Sequence, residues 1–469
     1  MGVLMKRLES FLNSGAYIFI IFLITFVSWS FYQETPPSVF NLYNMIGLFL
    51  LILINTVLLG LFRNTLYTIP TILSFLFIIN QSDISFDSVS ALGFPLIAFA
   101  VFLIGPVIHF IRFKPKMKRG YFFLGIVLIA VSYLVPLVYT PFEIAAIPVS
   151  LIATLYLGVY VFFSSTLKGN LNYLFKMMLF ANLLLTAEVL FYLYQGYLLN
   201  PDLDFYHRIF EGWGRNLGWA NINDMCFYIA LTFPSYLYFI FKKPKTYLIW
   251  FLMILPVIAV LLSKSRGGMI GFIISLLGIF IFFILKGNKK HLIHGFIFLL
   301  FTAAIFYIGR NALYVWWEFL LDSLGNNLNE FSSNRLYIYE QGFLIFKQYP
   351  LFGGGWLSIH SFSFDGRIFM FHSTFVQALA AMGLFGLVAL FVHYFQIGKF
   401  MLVNLNLEKS LFLIGYLASQ IHGLIDNVQY AVPYSILMIL FLSIYETSEK
   451  KTNFVMINHR YHLLDENII

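Results

Sequence analysis

Charge is scarce in this chain. Only 11% of its 469 residues are Asp, Glu, Lys or Arg, less than half of the roughly 25% usual for soluble domains. That shortage excludes an ordinary water-soluble globule. Cysteine is nearly absent: Cys226 stands alone, so an internal disulfide and a paired-cysteine metal site are both excluded. It lies in an apolar run after Asp224 and reads as a packing residue. The phosphate loop, the dinucleotide glycine fingerprint and the HExxH zinc pattern are missing too. No small-residue cleavage site follows the basic start at Lys6 and Arg7, so the first apolar segment is expected to be retained. The chain shows no soluble domain, low-complexity tract or internal repeat.

What remains is grease. Hydrophobic residues make up 60% of the sequence and aromatics 20%, gathered into runs of about 20 residues, the length that crosses a hydrocarbon core of ~30 Å. The runs are apolar throughout rather than alternating, which excludes a β-barrel. The expectation is an all-α integral membrane protein with about 14 transmembrane helices, within a range of about 12–14. Their cores fall near residues 17–31, 42–62, 66–80, 92–110, 121–138, 144–163, 171–198, 224–241, 247–262, 269–285, 292–308, 374–395, 411–425 and 431–444. The last two meet at Asp426 and Asn427, in a turn or a kink.

Charge tests this alternation. With the N-terminus inside, the inner loops receive 21 of the 29 Lys and Arg residues, including the run from Arg112 to Arg119. This is the positive-inside bias, and it explains the net charge of +8 without a nucleic-acid partner. The outer cations are Arg208, Arg215, Lys264, Arg266, Arg310, Arg335, Lys347 and Arg367. Six of these eight are Arg, against five of the 21 inside. Orientation needs only charge, whereas a planar five-donor fork suits gripping phosphate or carboxylate. Three parts follow: N-terminal membrane helices over residues 1–200, a core over 201–445 with an extracytoplasmic loop at 311–371, and a cytoplasmic tail over 446–469.

Three outer segments carry the chemistry. Within residues 200–223, Trp213, Arg215, Trp219 and Asn221 offer a surface suited to sugar stacking, although Trp also anchors membrane interfaces. In the SKSRGG turn at 263–268, Arg266 stands between two apolar runs, where an ionised group is costly unless it reaches water or an anion. The two following glycines would let a ligand approach the backbone at a helix start. The long loop is expected to hold two amphipathic helices, LYVWWEFLLDSL and NRLYIYEQGFLIFKQY, lying on the membrane surface. The second ends at Pro350 and the Gly353-Gly354-Gly355 turn, followed by Trp356. His372 opens the next apolar run and is placed to take a proton from a hydroxyl. His360, Asp365, Glu340 and Glu330 compete for that role.

In order, these blocks resemble the O-antigen ligase and polymerase superfamily. SKSRGGMIGFIISL is similar to its Ser-Arg-Gly signature. RLYIYEQGFLIFKQYPLFGGGW resembles its loop helix ending in Pro-Leu-x-Gly-x-Gly. HSTFVQALAAMGLFGL resembles its His-(Asn/Ser)-x-x-x-Gln re-entry into the membrane, with Ser373 where many relatives have Asn. GWANINDMCFYIALTFP resembles its Ala-Asn-x-Asn region. The resemblance covers about half the chain, over residues 212–433. It implies a GT-C-like membrane glycosyltransferase that needs no metal and no cofactor. Its donor would be an oligosaccharide on polyprenyl diphosphate at the outer leaflet, and its acceptor another glycan. It would work in the bacterial inner membrane, with both termini cytoplasmic, beside other polysaccharide-assembly proteins. Polymerisation of repeat units is favoured over ligation. Arg266, Arg335 and Arg215 would hold the diphosphate, His372 and Arg266 would be catalytic, and Trp213, Trp219, Asn221 and Trp356 would contact substrate.

Two rivals remain. A polysaccharide flippase has a similar number of spans, but transporters tend to carry internal repeats and broken midplane helices, neither of which is evident here. A peptidoglycan-type glycosyltransferase would share the donor chemistry, but none of its motifs is recognised.

Overall fold

The computed structural model describes residues 2–30, 42–79, 93–140, 146–199, 201–203, 207–208, 222–242, 247–323, 332, 334–356, 363–364, 367–368, 370–449, 454–457 and 460–463. Within them the chain is helical apart from two short antiparallel ladders, Ser363–Phe364 with Arg367–Ile368 and Phe454–Ile457 with Arg460–Leu463. Helix occupies all fourteen predicted segments. Six helices are long and apolar enough to cross a membrane alone: Leu42–Leu61, Ala146–Thr166, Leu171–Leu198, Ile222–Lys242, Arg266–Lys286 and Thr374–Leu402. A seventh is counted if Val3–Leu12 and Gly15–Trp29, bent by 59°, form one span. This is fewer than the expected fourteen crossings. The remaining apolar helices, such as Phe123–Val138 and Val432–Ser448, have 10–17 residues. At ~1.5 Å per residue these fall short of a full hydrocarbon core.

Several polar contacts tie helix ends and connecting turns together. At one end Lys176 Nζ donates to the Asn13 carbonyl, the Lys168 N–H to Asn64 Oδ1 and the Lys118 N–H to Ser165 Oγ. There too the Tyr160 hydroxyl and the Tyr121 N–H both donate to Glu446, and Lys242 pairs with Glu408 at 3.2 Å. Every one of these groups belongs to a loop or helix end assigned to the inner face.

The span Thr374–Leu402 is broken at Gly383, whose φ of 64° and ψ of −159° are not helical. The break frees two carbonyls and two N–H groups in apolar surroundings, where each unpaired group costs several kcal/mol. The Pro-Leu-x-Gly-Gly-Gly segment supplies all four partners. Gly354 and Gly355 N–H donate to the Ala380 and Ala381 carbonyls at 2.7 and 3.0 Å, and Leu384 and Phe385 N–H donate to the Pro350 and Leu351 carbonyls at 2.9 and 3.0 Å. So close an approach of two backbones leaves no room for side chains. A Cβ on Gly383 would sit 2.6 Å from the Gly353 N, and one on Gly353 would strike Met382 at a φ of +76°. The Tyr139 hydroxyl closes the joint on the Gly353 carbonyl. The glycine run is therefore a clamp that fixes the outer loop to a membrane helix.

The loop helix Arg335–Gln348 lies against the same span. Ile338 and Ile345 pack with Phe371, Val376 and Ala380. Loop and span thus form one unit, and the unit sets where Arg335 and His372 fall. Gly353→Ala should lower thermal stability in detergent by about 1–3 kcal/mol, the usual range for a strained left-handed position. Serine at solvent-facing positions of the Arg335–Gln348 helix, such as Glu340, should leave the melting temperature within about 2 °C.

Candidate functional site

Five side chains converge, four of them at or next to a helix terminus and Asp426 in a turn. Arg335 opens its helix behind Asn334, which takes the left-handed φ of 61°. Its Nη1 donates to the Ile425 carbonyl and its Nη2 lies 3.7 Å from Asp426 Oδ2. His372 precedes the broken span and also has positive φ, 43°, a strained state for a residue bearing a Cβ and one that clusters at functional sites. Its carbonyl accepts from the Tyr339 hydroxyl at 2.9 Å, and the next N–H, of Ser373, donates to Asn427 Oδ1 at 3.1 Å. The imidazole Nδ1 lies 3.3 Å from Asp426 Oδ1. His422, at the end of Leu407–His422, places Nε2 3.8 Å from Asp426 Oδ2.

Asp426 is therefore the hub. Its side chain is 9% exposed, yet it sits in the turn between Leu407–His422 and Val432–Ser448, outside either helix. Burial pushes its carboxyl toward the neutral form, but His372 and His422 outweigh burial and hold it well below the usual carboxylate range. The carboxylate stays ionised at any pH of growth and serves as their counterion.

Arg266 enters from a separate helix. Ser265 caps it, accepting from the Gly268 N–H at 3.0 Å and donating to Asn223 Oδ1 at 2.6 Å. The second Asn of the Ala-Asn-x-Asn block thus orients the Ser-Arg-Gly turn. Arg266 is half-buried and close enough to Arg335 for the like charges to repel. The two glycines behind it do not open the backbone to a ligand as expected. A Cβ on Gly267 would sit 3.1 Å from Ile425 and 3.2 Å from His422 Nε2, and one on Gly268 would strike Cys226. Both spaces are filled by protein, so these glycines permit close helix packing. Cys226 itself is buried, with its thiol donating to Ser263 Oγ at 3.3 Å.

The remaining expected residues fall elsewhere. Trp356 is 2% exposed, stacked on Tyr133 at 4.7 Å with Tyr430 against its edge, so its ring belongs to an aromatic core beneath the loop. Glu340 is exposed on the loop helix. Trp213, Arg215, Trp219, Asn221, Glu330, His360 and Asp365 lie outside the described residues. Sequence reasoning missed Asp426 and His422. Their signal was present: an i, i+4 His-Asp pair between two apolar runs, where an ionisable residue is functional by default. Among the described residues no group of three or more His, Cys, Asp or Glu side chains is arranged to hold a metal ion.

Chemically, the cluster combines a carboxylate-oriented imidazole with two guanidiniums. The Nδ1 contact to Asp426 leaves His372 Nε2 free to take a proton from an alcohol, while the carboxylate favours the resulting imidazolium. The fold and this site define a polytopic membrane protein with an anion-attracting acid–base centre at one end. Residues 251–391, about a third of the chain, match the family model described as O-Antigen ligase, in line with the resemblance to the O-antigen ligase and polymerase superfamily. The matched span contains Arg266, Arg335 and His372 but ends before His422 and Asp426. No curated protein matches the chain. The family implies a glycosyltransferase-like ligase or polymerase in cell-surface polysaccharide biosynthesis, acting in a membrane on lipid-linked oligosaccharide and a glycan acceptor.

Asp426→Asn should lower the melting temperature at pH 7, since removing one partner of a buried ion pair costs about 3–5 kcal/mol. The folded carboxyl titrates below its unfolded value of ~3.9, so its contribution is complete above that pH and fades as acid is added. The gap between wild type and variant should therefore hold from pH 7 to about 5 and narrow below about 4. Melting curves across that range check it.

Proposed function

We propose that this protein polymerises glycan repeat units from a polyprenyl diphosphate carrier at the outer face of the bacterial inner membrane, without a metal ion. The carrying observation is the convergence of Arg335 and His372 on Asp426, with Arg266 beside them. A cation in the first turn of a helix is disfavoured by the helix dipole, and a second guanidinium nearby adds repulsion. Anion binding relieves both.

The reaction follows from these groups. The diphosphate of the donor sits between Arg266 and Arg335, with Arg215 in support. His372 takes the proton of the acceptor hydroxyl, and the oxygen attacks the anomeric carbon of the donor sugar. The bond from that carbon to the diphosphate breaks, and its electron pair passes to the leaving oxygen. The guanidiniums stabilise the charge that grows there, the task a preorganised electrostatic site performs best. Asp426 holds the imidazole in the productive tautomer and neutralises the imidazolium. Trp213, Trp219 and Asn221 are assigned to the sugar.

The basic loop ends are assigned to the cytoplasm, along with both termini. A flippase would also meet lipid-linked sugars, but it needs no imidazole oriented by a carboxylate.

Arg266→Ala and His372→Ala should each abolish polymer formation in cells lacking the wild-type protein, while insertion and abundance stay normal and single repeat units accumulate on the carrier. Full-length polymer from either variant would refute the assignment. Loss of transfer to a different acceptor, with polymer length unchanged, would mark a ligase instead. In a Cys226→Ser background, cysteine at position 335 should react with an impermeant maleimide in intact cells stripped of outer membrane. Cysteine at 116 should react only after lysis.

A further inference from the structure

At the end opposite the Arg–His–Asp cluster lies an apolar cavity of about 410 Å³, within the size range of ~300–1,000 Å³ typical of small-molecule sites. Phe75, Phe102, Phe162 and Met117 line it, and Gly158 leaves one wall open, with nothing within 4 Å of a Cβ built there. One polar side chain faces this cavity. Asn55 is 0% exposed; its Oδ1 accepts from the Thr71 hydroxyl at 3.1 Å, and its Nδ2 has no partner among the described residues. A buried amide donor left unpaired is costly, and a ligand acceptor relieves that cost.

The mouth is strongly basic. Arg112, Lys114, Lys116, Lys118 and Arg119 are exposed around Met117, and none of them pairs with a carboxylate among the described residues. The chain turns there because Lys114 adopts a left-handed conformation that ends its helix. Asn55 stands six residues before the end of Leu42–Leu61, or ~9 Å deeper along the helix.

We propose that this cavity binds one anionic diacyl phospholipid of the leaflet opposite the reaction site. The headgroup phosphate lies among the five cations, an acyl chain fills the aromatic-lined space, and Asn55 Nδ2 donates to a glycerol ester carbonyl. The ester requirement separates this ligand from a polyprenyl phosphate, which carries no carbonyl below its phosphate. The site stands apart from the glycosyl-transfer reading and holds whichever way that reading is decided.

The test is lipid retention. The full chain is reconstituted in nanodiscs of equal phosphatidylglycerol and phosphatidylcholine, extracted in mild detergent, and its bound lipid measured by native mass spectrometry. Wild type should retain one phosphatidylglycerol, preferred by at least roughly tenfold, as clustered basic residues near anionic headgroups predict. The triple variant Lys114→Gln, Lys116→Gln, Lys118→Gln should lose the preference but still carry lipid. Gly158→Leu, whose Cβ has no atom within 4 Å, should carry none while melting as wild type does. Equal retention of both lipids by wild type, undiminished retention by Gly158→Leu, or recovery of a polyprenyl phosphate in place of phospholipid would each overturn the proposal.

Discussion

Withdrawing a carboxylate from water at the edge of a bilayer costs several kcal/mol unless other groups replace its hydration. Asp426 meets that cost by collecting Arg335 from the loop helix, His372 from the start of a span and, one turn away, His422 from the end of Leu407–His422. Through His422 it also abuts the glycine behind Arg266. Nearly every charged or titratable group of the candidate centre is thus positioned by one side chain. The dependence is mutual, because the imidazoles keep that carboxylate ionised.

In the proposed reaction, a guanidinium held by a hydrogen bond and an ion pair, as Arg335 is, needs little reorganisation when charge appears on a leaving group, which is the advantage of a built electrostatic site over solvent. The backbone at His372 and Asn334 bears the strain of holding such geometry, with positive φ at both. Tyr339 and Asn427 resist its release by binding the carbonyl and the N–H of the peptide that follows His372.

The helical architecture was legible from apolar runs alone, and each predicted segment is helix. The number of full crossings was not, because hydrophobicity does not reveal where a helix is cut short, as where the helix Phe123–Leu134 gives way to a 3-10 turn at Pro136. Arg266, Arg335 and His372 could be singled out since each interrupts or borders apolar sequence in a recognisable block. The pairing of His422 with Asp426 has a local signal, but the arrival of Arg335 and His372 on that carboxylate is tertiary and has none. The glycines following Arg266 misled for the same reason. Sequence shows that a side chain is missing, but only packing shows what occupies the vacated space.

The clamp at Gly383 has a bearing on how such a chain diverges. Four main-chain hydrogen bonds join residues 350–355 to 380–385 with no side chain as intermediary. Composition on either side can drift freely, provided the glycines and the count of residues stay fixed. A single inserted residue within 350–355 would slip that register and strand polar atoms in lipid.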